Sequence, residues 1–100
     1  MTYFVVIRER GSQWDWSVPM RRQARWDAHA AFMDALAGER FILAGGPLGD
    51  EDRAARVMHV VNAPDVGAIE ARMAQDPWTP MHLLETLSIE PWTVLLGGFG

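Results

Sequence analysis

Tyr3 to Ile7 is an unbroken apolar run in which Tyr3, Val5 and Ile7 alternate with Phe4 and Val6. Both faces are therefore apolar, which predicts a central strand covered on each side. Gly11 to Pro19 reads as a loop carrying Trp14 and Trp16. A helix is expected from Met20 to Ala37, closed by Gly38. Its inward stripe holds His29, Phe32, Met33 and Leu36 at helical spacing. Phe41 to Leu43 is the next strand, and Gly45-Gly46-Pro47 with Gly49 to Asp52 reads as a hairpin connection. Val57 to Val61 is a third strand.

Asn62 or Asp65 can cap a second helix with Pro64 near its first turn. That helix is expected to reach about Gln75, where Pro77 stops it. Leu84 to Ile89 alternates as a fourth strand and leads into a tail through Trp92 to Leu96. The glycine-rich end, Gly97 to Gly100, is expected to fray. The order is βαββαβ, an α+β ferredoxin-like pattern with a four-stranded antiparallel sheet and two helices on one face. Residues 1–96 form a single domain on this reading. The doubly apolar first strand then asks for a cover on the open sheet face, and the expected cover is a second subunit.

Composition supports this. The hydrophobic fraction is 49%, with five Trp and six Met, a large apolar mass for one small core. Homo-oligomer interfaces are apolar, so a homodimer through the sheet faces is expected. The net charge is −4, and every basic residue is Arg. An acidic chain argues against nucleic-acid binding, which needs clustered positive charge. The absence of cysteine removes disulfides, thiolate metal sites and a Cys nucleophile, and fits a reducing cytoplasm. The N-terminal apolar run is too short for a signal peptide. No stretch approaches the roughly 20 apolar residues of a membrane span.

Two polar residues stand on apolar stripes. His29 is one: it is either a hydrogen-bonded core residue or part of a pocket. Asp76 is the other, continuing the Val66, Ile69 and Met73 stripe at the C-terminal end of the second helix. The helix dipole disfavours a carboxylate there, and burial is costly without a partner. It either braces the Pro77 turn or pairs with His29. The strand directions bring the start of the first helix and the end of the second to one end of the domain. Arg8, Trp16, His29 and Trp78 can border one cleft there. A carboxylate that holds an imidazole fixes its tautomer and raises its basicity, the arrangement used by general bases.

Other residues carry less. Arg22 and Arg25 precede His29 by seven and four positions, on the same expected helical face, where they could hold an anionic group. Alternatively they are solvated charges pairing with Asp27 or Glu39. Arg8 alternates with Phe4 and Val6. His59 shares a strand face with Val57 and Val61 and reads as core or dimer interface. His82 reads as surface, and Trp26 as packing. The histidines are too dispersed for a metal site, so neither metal nor cofactor is expected. Gly45-Gly46-Pro47-Leu48-Gly49 lacks the Lys-Ser/Thr and helix of a phosphate loop.

Taken together, the strand at residues 3–7, His29, Ala44-Gly45-Gly46-Pro47-Leu48, Asp76-Pro77-Trp78 and Ile89-Glu90-Pro91-Trp92 resemble the YCII-related (YciI-like) family of dimeric α+β barrel proteins. The resemblance spans Tyr3 to Trp92. It implies a ferredoxin-like fold dimerised sheet to sheet, and an active-site His–Asp pair at His29 and Asp76. A relative in chloroaromatic breakdown eliminates HCl, and muconolactone isomerases share the wider fold. The Gly11–Pro19 loop is longer than in the shortest members. The expectation is a cofactor-independent, lyase- or isomerase-type enzyme acting on a small organic acid or lactone. In it His29 moves a proton, Asp76 orients His29, Arg8 or Arg25 holds an anionic group, and Trp16 and Trp78 wall the pocket. The alternative is a non-catalytic small-molecule-binding or accessory dimer module, with His29 and Asp76 as a structural pair.

Overall fold

The computed structural model describes residues 2–99; Met1, and Gly100 at the end of the expected fraying tail, lie outside them. The chain runs β1 (Thr2–Arg10), a 3₁₀ turn (Met20–Arg22), α1 (Trp26–Gly38), β2 (Ile42–Pro47), β3 (Arg56–Ala63), α2 (Val66–Met73) and β4 (Leu84–Trp92). The sheet order is β2-β3-β1-β4, and each neighbouring pair is antiparallel. This is the expected α+β, ferredoxin-like arrangement. Phe4 and Val6 of β1 pack with Val61 and Ala63 of β3, Leu36 of α1, and Ile69 and Met73 of α2 in one buried cluster. Both helices therefore cover the same sheet face. On the opposite face Tyr3, Val5 and Ile7 are half-buried.

β4 is an edge strand, which is why Pro91 is tolerated inside it, beside Phe4. A bulge between Ile7 and Arg8 shifts the β1–β4 register, so that Arg8 lies opposite Thr86 while Ile7 lies opposite Ser88. The shift lets both Leu84 and Ile89 turn towards buried clusters. Asp65 caps α2 by accepting a hydrogen bond from the Ala68 N–H at 2.8 Å. From the glycine-rich end, Phe99 sets its ring edge-on to Tyr3 and Trp92, at centroid distances of 5.7 and 6.0 Å. No helix among the described residues is long and apolar enough to cross a membrane.

Three element boundaries differ from the sequence pattern. The expected first helix is broken: Gln23 is extended and Arg25 is left-handed, with φ of 58°. Tertiary hydrogen bonds account for the break. The Gln23 amide clamps the Gly11–Pro19 loop, accepting from Asp15 N–H at 3.0 Å and donating to Asp15 C=O at 2.7 Å. The Ala24 carbonyl accepts from Trp78 Nε1 at 2.7 Å instead of serving a helical turn. Second, Gly45, Gly46 and Pro47 are not a hairpin turn but the end of β2, paired with His59, Met58 and Val57. Third, α2 ends at Met73, so Asp76 lies in the turn beyond it.

Candidate functional site

The alternation that buries Phe4 and Val6 carries Arg8 into the interior, where it is 0% exposed. A buried guanidinium needs charged and polar partners. Arg8 Nη1 donates to Asp76 Oδ2 at 2.7 Å, and Nη2 donates to Thr79 Oγ1 at 3.0 Å. The Thr79 hydroxyl in turn donates to the Met73 carbonyl at 2.7 Å. Asp76 is equally buried and accepts two further bonds on Oδ1: from His29 Nδ1 at 2.9 Å and from the Trp78 N–H at 3.0 Å. The two roles considered for Asp76 thus coincide, because one carboxylate both braces the Pro77 turn and holds His29.

Burial alone would push the Asp76 pKa up. Hydrogen bonds from His29 and Arg8, with the charge of His29 and the Trp78 N–H, outweigh burial and hold it below the usual carboxylate value. Asp76 is therefore ionised at neutral pH and offers only acceptors. The His29 nitrogen facing it must carry a proton, so a neutral His29 is protonated on Nδ1 and bare on Nε2. The ring is fixed from below as well. It lies flat on the indole of Trp78, with centroids 3.8 Å apart and planes 6° apart.

His29 borders a cavity of about 270 Å³ between α1 and the β2–β3 part of the sheet. It is lined by Met20, Trp26, Met33, Val57 and Leu84, by residues 43–47, and by the polar residues Arg10, Asp34 and His59. The size is near the lower end for small-molecule sites. Arg10 continues the Phe4, Val6, Arg8 alternation by one more step. Its guanidinium lies 3.9 Å over the Trp14 ring and donates to the carbonyls of Ala54 and Glu51 at 3.4 and 3.2 Å. Burial and the neighbouring Arg8 lower its pKa to about 10, which leaves it cationic at neutral pH. His59 is buried, and burial, then repulsion from Arg8 and His29, lower its pKa to about 3, so its imidazole is neutral.

Of the residues expected at the site, the structure brings His29, Asp76, Arg8 and Trp78 into contact, but in different places from those anticipated. Arg8 is spent on Asp76 and Thr79 and is not among the cavity-lining residues. Trp78 is 0% exposed and lies behind His29 as its stacking partner. Trp16 is 55% exposed and stands outside the cavity; Trp14 is the loop's buried indole, edge-on to Trp78. Arg22 and Arg25 are exposed, and the break before α1 removes them from the His29 face. Glu39 pairs instead with Arg72 at 2.7 Å. His82 is exposed, as its loop position indicates.

Arg10, His59 and Trp26 are among the cavity residues not expected there. For Arg10 the signal was available, since β1 alternation extended by two positions reaches it. Trp26 and His59 were legible as facing inward, but a strand pattern cannot tell a filled core from a hollow one. Among the described residues no group of three His, Asp or Glu could hold a metal ion.

A family model described as the YCII-related domain matches residues 1–93. No curated protein matches the sequence. A solved structure similar to this one is that of a 5-chloro-2-hydroxyhydroquinone dehydrochlorinase, TftG, from Burkholderia phenoliruptrix AC1100, in complex with 2,5-dihydroxybenzoquinone. It shares 22% identity, with a TM-score of 0.66 over 90% of this chain and 93% of that one. At that identity the likeness shows the fold. The chain belongs to the YCII-related family.

Proposed function

We propose that this YCII-related protein is an acid–base enzyme that works without a cofactor on a small oxygenated organic molecule, catalysing an elimination or an isomerisation. One observation carries the reading: Asp76 occupies His29 Nδ1, which leaves Nε2 as the bare nitrogen at the cavity wall. Nε2 would take a proton from a carbon or hydroxyl of the substrate. Electrons then expel a leaving group or shift a double bond, and the resulting imidazolium returns the proton to product or solvent. Asp76 stabilises that imidazolium, and Arg8 keeps Asp76 ionised. Arg8 and Trp78 are positioning residues in this scheme.

The anionic group expected on the substrate falls to Arg10, not to Arg8 or Arg25. Arg10 Nη1 makes no hydrogen bond among the described residues, and Arg10 borders the cavity. A dehydrochlorinase of similar fold, solved with a dihydroxyquinone, supports an oxygenated six-membered ring as one substrate class. An organic acid or lactone of the same size fits the same groups. The half-buried Tyr3, Val5 and Ile7 on the open sheet face support a homodimer joined through the sheets.

The test is to follow chloride release from 5-chloro-2-hydroxyhydroquinone, and isomerisation of small unsaturated lactones, by the parent protein and by His29→Gln. The expected loss in the variant is about 10²–10⁴-fold, the usual contribution of a general base, with its circular dichroism unchanged. Equal rates for the two proteins contradict the reading.

A further inference from the structure

The cavity beside His29 is bordered by groups of opposite charge. Arg10 stands at one end with Met20, whose sulfur accepts from its guanidinium at 3.4 Å. α1 leads away from that end. Trp26, at its start, faces the guanidinium of Arg21 in the 3₁₀ turn, and Ala37, in its last turn, accepts from the Arg40 N–H just ahead of β2. Asp34 follows His29 by five residues and lies roughly 7.5 Å farther along the helix axis. It too borders the cavity. His29 thus comes between the Arg10 end and Asp34 along this helix. Arg10 and Asp34 do not neutralise each other, because the charges that act on Arg10 are those of Arg8, Asp52 and Glu51.

Asp34 is the only carboxylate among the described residues that line the cavity. The residue is exposed, and its carboxylate pairs with no cation among the described residues. The acids near the Arg10 end are tied down: Glu51 pairs with Arg21 at 3.0 Å, and Asp52 accepts from the Met20 N–H at 2.9 Å. Asp34 is therefore left to act on what enters. A carboxylate there accepts a charge-assisted hydrogen bond from a hydroxyl. It repels an anion at the same place.

We propose that Asp34 is the charge filter of this cavity: it admits a compact ring that carries one anionic group and, at the opposite side, a neutral hydroxyl, and it excludes a ring with anionic groups at both ends. The inference rests on the reading of the cavity as the substrate site, and narrows that site to singly charged, hydroxylated rings. Arg10 meets the anionic group, and Asp34 accepts from the hydroxyl. The lining at Met33, Ala37 and Ile42 is apolar and holds the carbon frame. Asp34 sets which ligands fit, and His29 carries the proton.

The test measures, by calorimetry, the affinity for two rings of nearly one size. One is 4-hydroxybenzoate, with a carboxylate opposite a hydroxyl; the other is terephthalate, with carboxylates at both ends. The parent is expected to bind 4-hydroxybenzoate more tightly by on the order of 10-fold, the size of one like-charge repulsion near a protein surface. Asp34→Asn closes most of that gap, chiefly by binding terephthalate more tightly, and Asp34→Glu keeps it. Asp27→Asn removes the same charge from an exposed position on α1 outside the cavity lining, and leaves the gap as in the parent. A merely structural role, or a change in overall charge, would not separate the variants in this way. Equal affinities in the parent, a gap that survives in Asp34→Asn, or one that closes equally in Asp27→Asn overturns the proposal; a loss of turnover in His29→Gln then leaves the His29 reading standing. If the gap closes in Asp34→Asn alone while His29→Gln turns over as fast as the parent, the filter stands and the His29 reading falls. A parent that binds neither probe overturns the filter and the reading of the cavity as the substrate site together.

Discussion

The imidazole of His29 lies against the indole of Trp78 with their ring planes 6° apart and centroids 3.8 Å apart. Trp78 is itself pinned, by its Nε1 to the Ala24 carbonyl at 2.7 Å and by its N–H to Asp76 at 3.0 Å. One indole thus ties together the break before α1, the Pro77 turn and the ring of His29. Trp78→Ala is expected to destabilise the protein by about 3–5 kcal/mol, the range for losing a buried Trp. Trp78→Phe, which keeps an aromatic surface but loses the indole N–H, is expected to cost less, about 1–2 kcal/mol. Urea unfolding of both variants checks the order.

Arg8 and Asp76 form a fully buried ion pair at 2.7 Å. Removing one partner leaves the other charged and desolvated. Arg8→Met should therefore cost about 3–5 kcal/mol. The variant should also raise the Asp76 pKa, since a hydrogen bond from Arg8 is among the causes that hold it down. A carboxylate ¹³C titration of Asp76 in parent and variant reads that shift directly.

Much of this site was legible in the chain. The apolar stripe of α1 marked His29, the polar position just past the α2 stripe marked Asp76, and the strand directions brought them to one end. What was not legible depended on long-range hydrogen bonds. Nothing local marks Gln23 to Arg25 as a helix break: the stretch has neither Gly nor Pro, and its geometry is set by Asp15 and Trp78. Without that break Arg25 lies on the His29 face; with it, Arg25 is exposed. Gly45-Gly46-Pro47 carries turn residues but forms strand, because Gly45 must admit the ring of His59. Trp14 and Trp16 sit in a loop without periodicity, so no pattern could say which of the two is buried.

Gly45→Ala should disturb this packing. The new methyl group meets His59 Nδ1, and overpacking of this kind costs about 1–3 kcal/mol. With His59→Ala in the same chain the space is restored, so the double variant should lose less than the sum of the two single ones. A double-mutant cycle in urea gives the coupling.

Acid should weaken the fold through His59. In the unfolded chain the imidazole titrates near 6.5, whereas in the folded protein its pKa is lowered to about 3. Between these values the unfolded state binds more protons, so stability falls as pH drops from about 6.5 towards about 3. The slope is at most about 1.4 kcal/mol per pH unit. Asp76, with a folded pKa below its ordinary value, contributes stability that is lost only in the carboxylate range and below. His59→Leu should therefore flatten the profile between pH 4.5 and 6.5, on the order of the window these two groups leave apart, and leave the steeper acid limb in place. Unfolding free energies across that pH range check it.

The proposed chemistry requires Asp76 to hold His29 with its bare nitrogen at the cavity. The ring ¹⁵N shifts of His29, read in a long-range ¹H–¹⁵N spectrum of the neutral imidazole, test it most directly. A protonated Nδ1 and a bare, pyridine-type Nε2 are expected, with that pattern lost in Asp76→Ala. A proton on Nε2 in the parent protein, with Nδ1 bare, would contradict it.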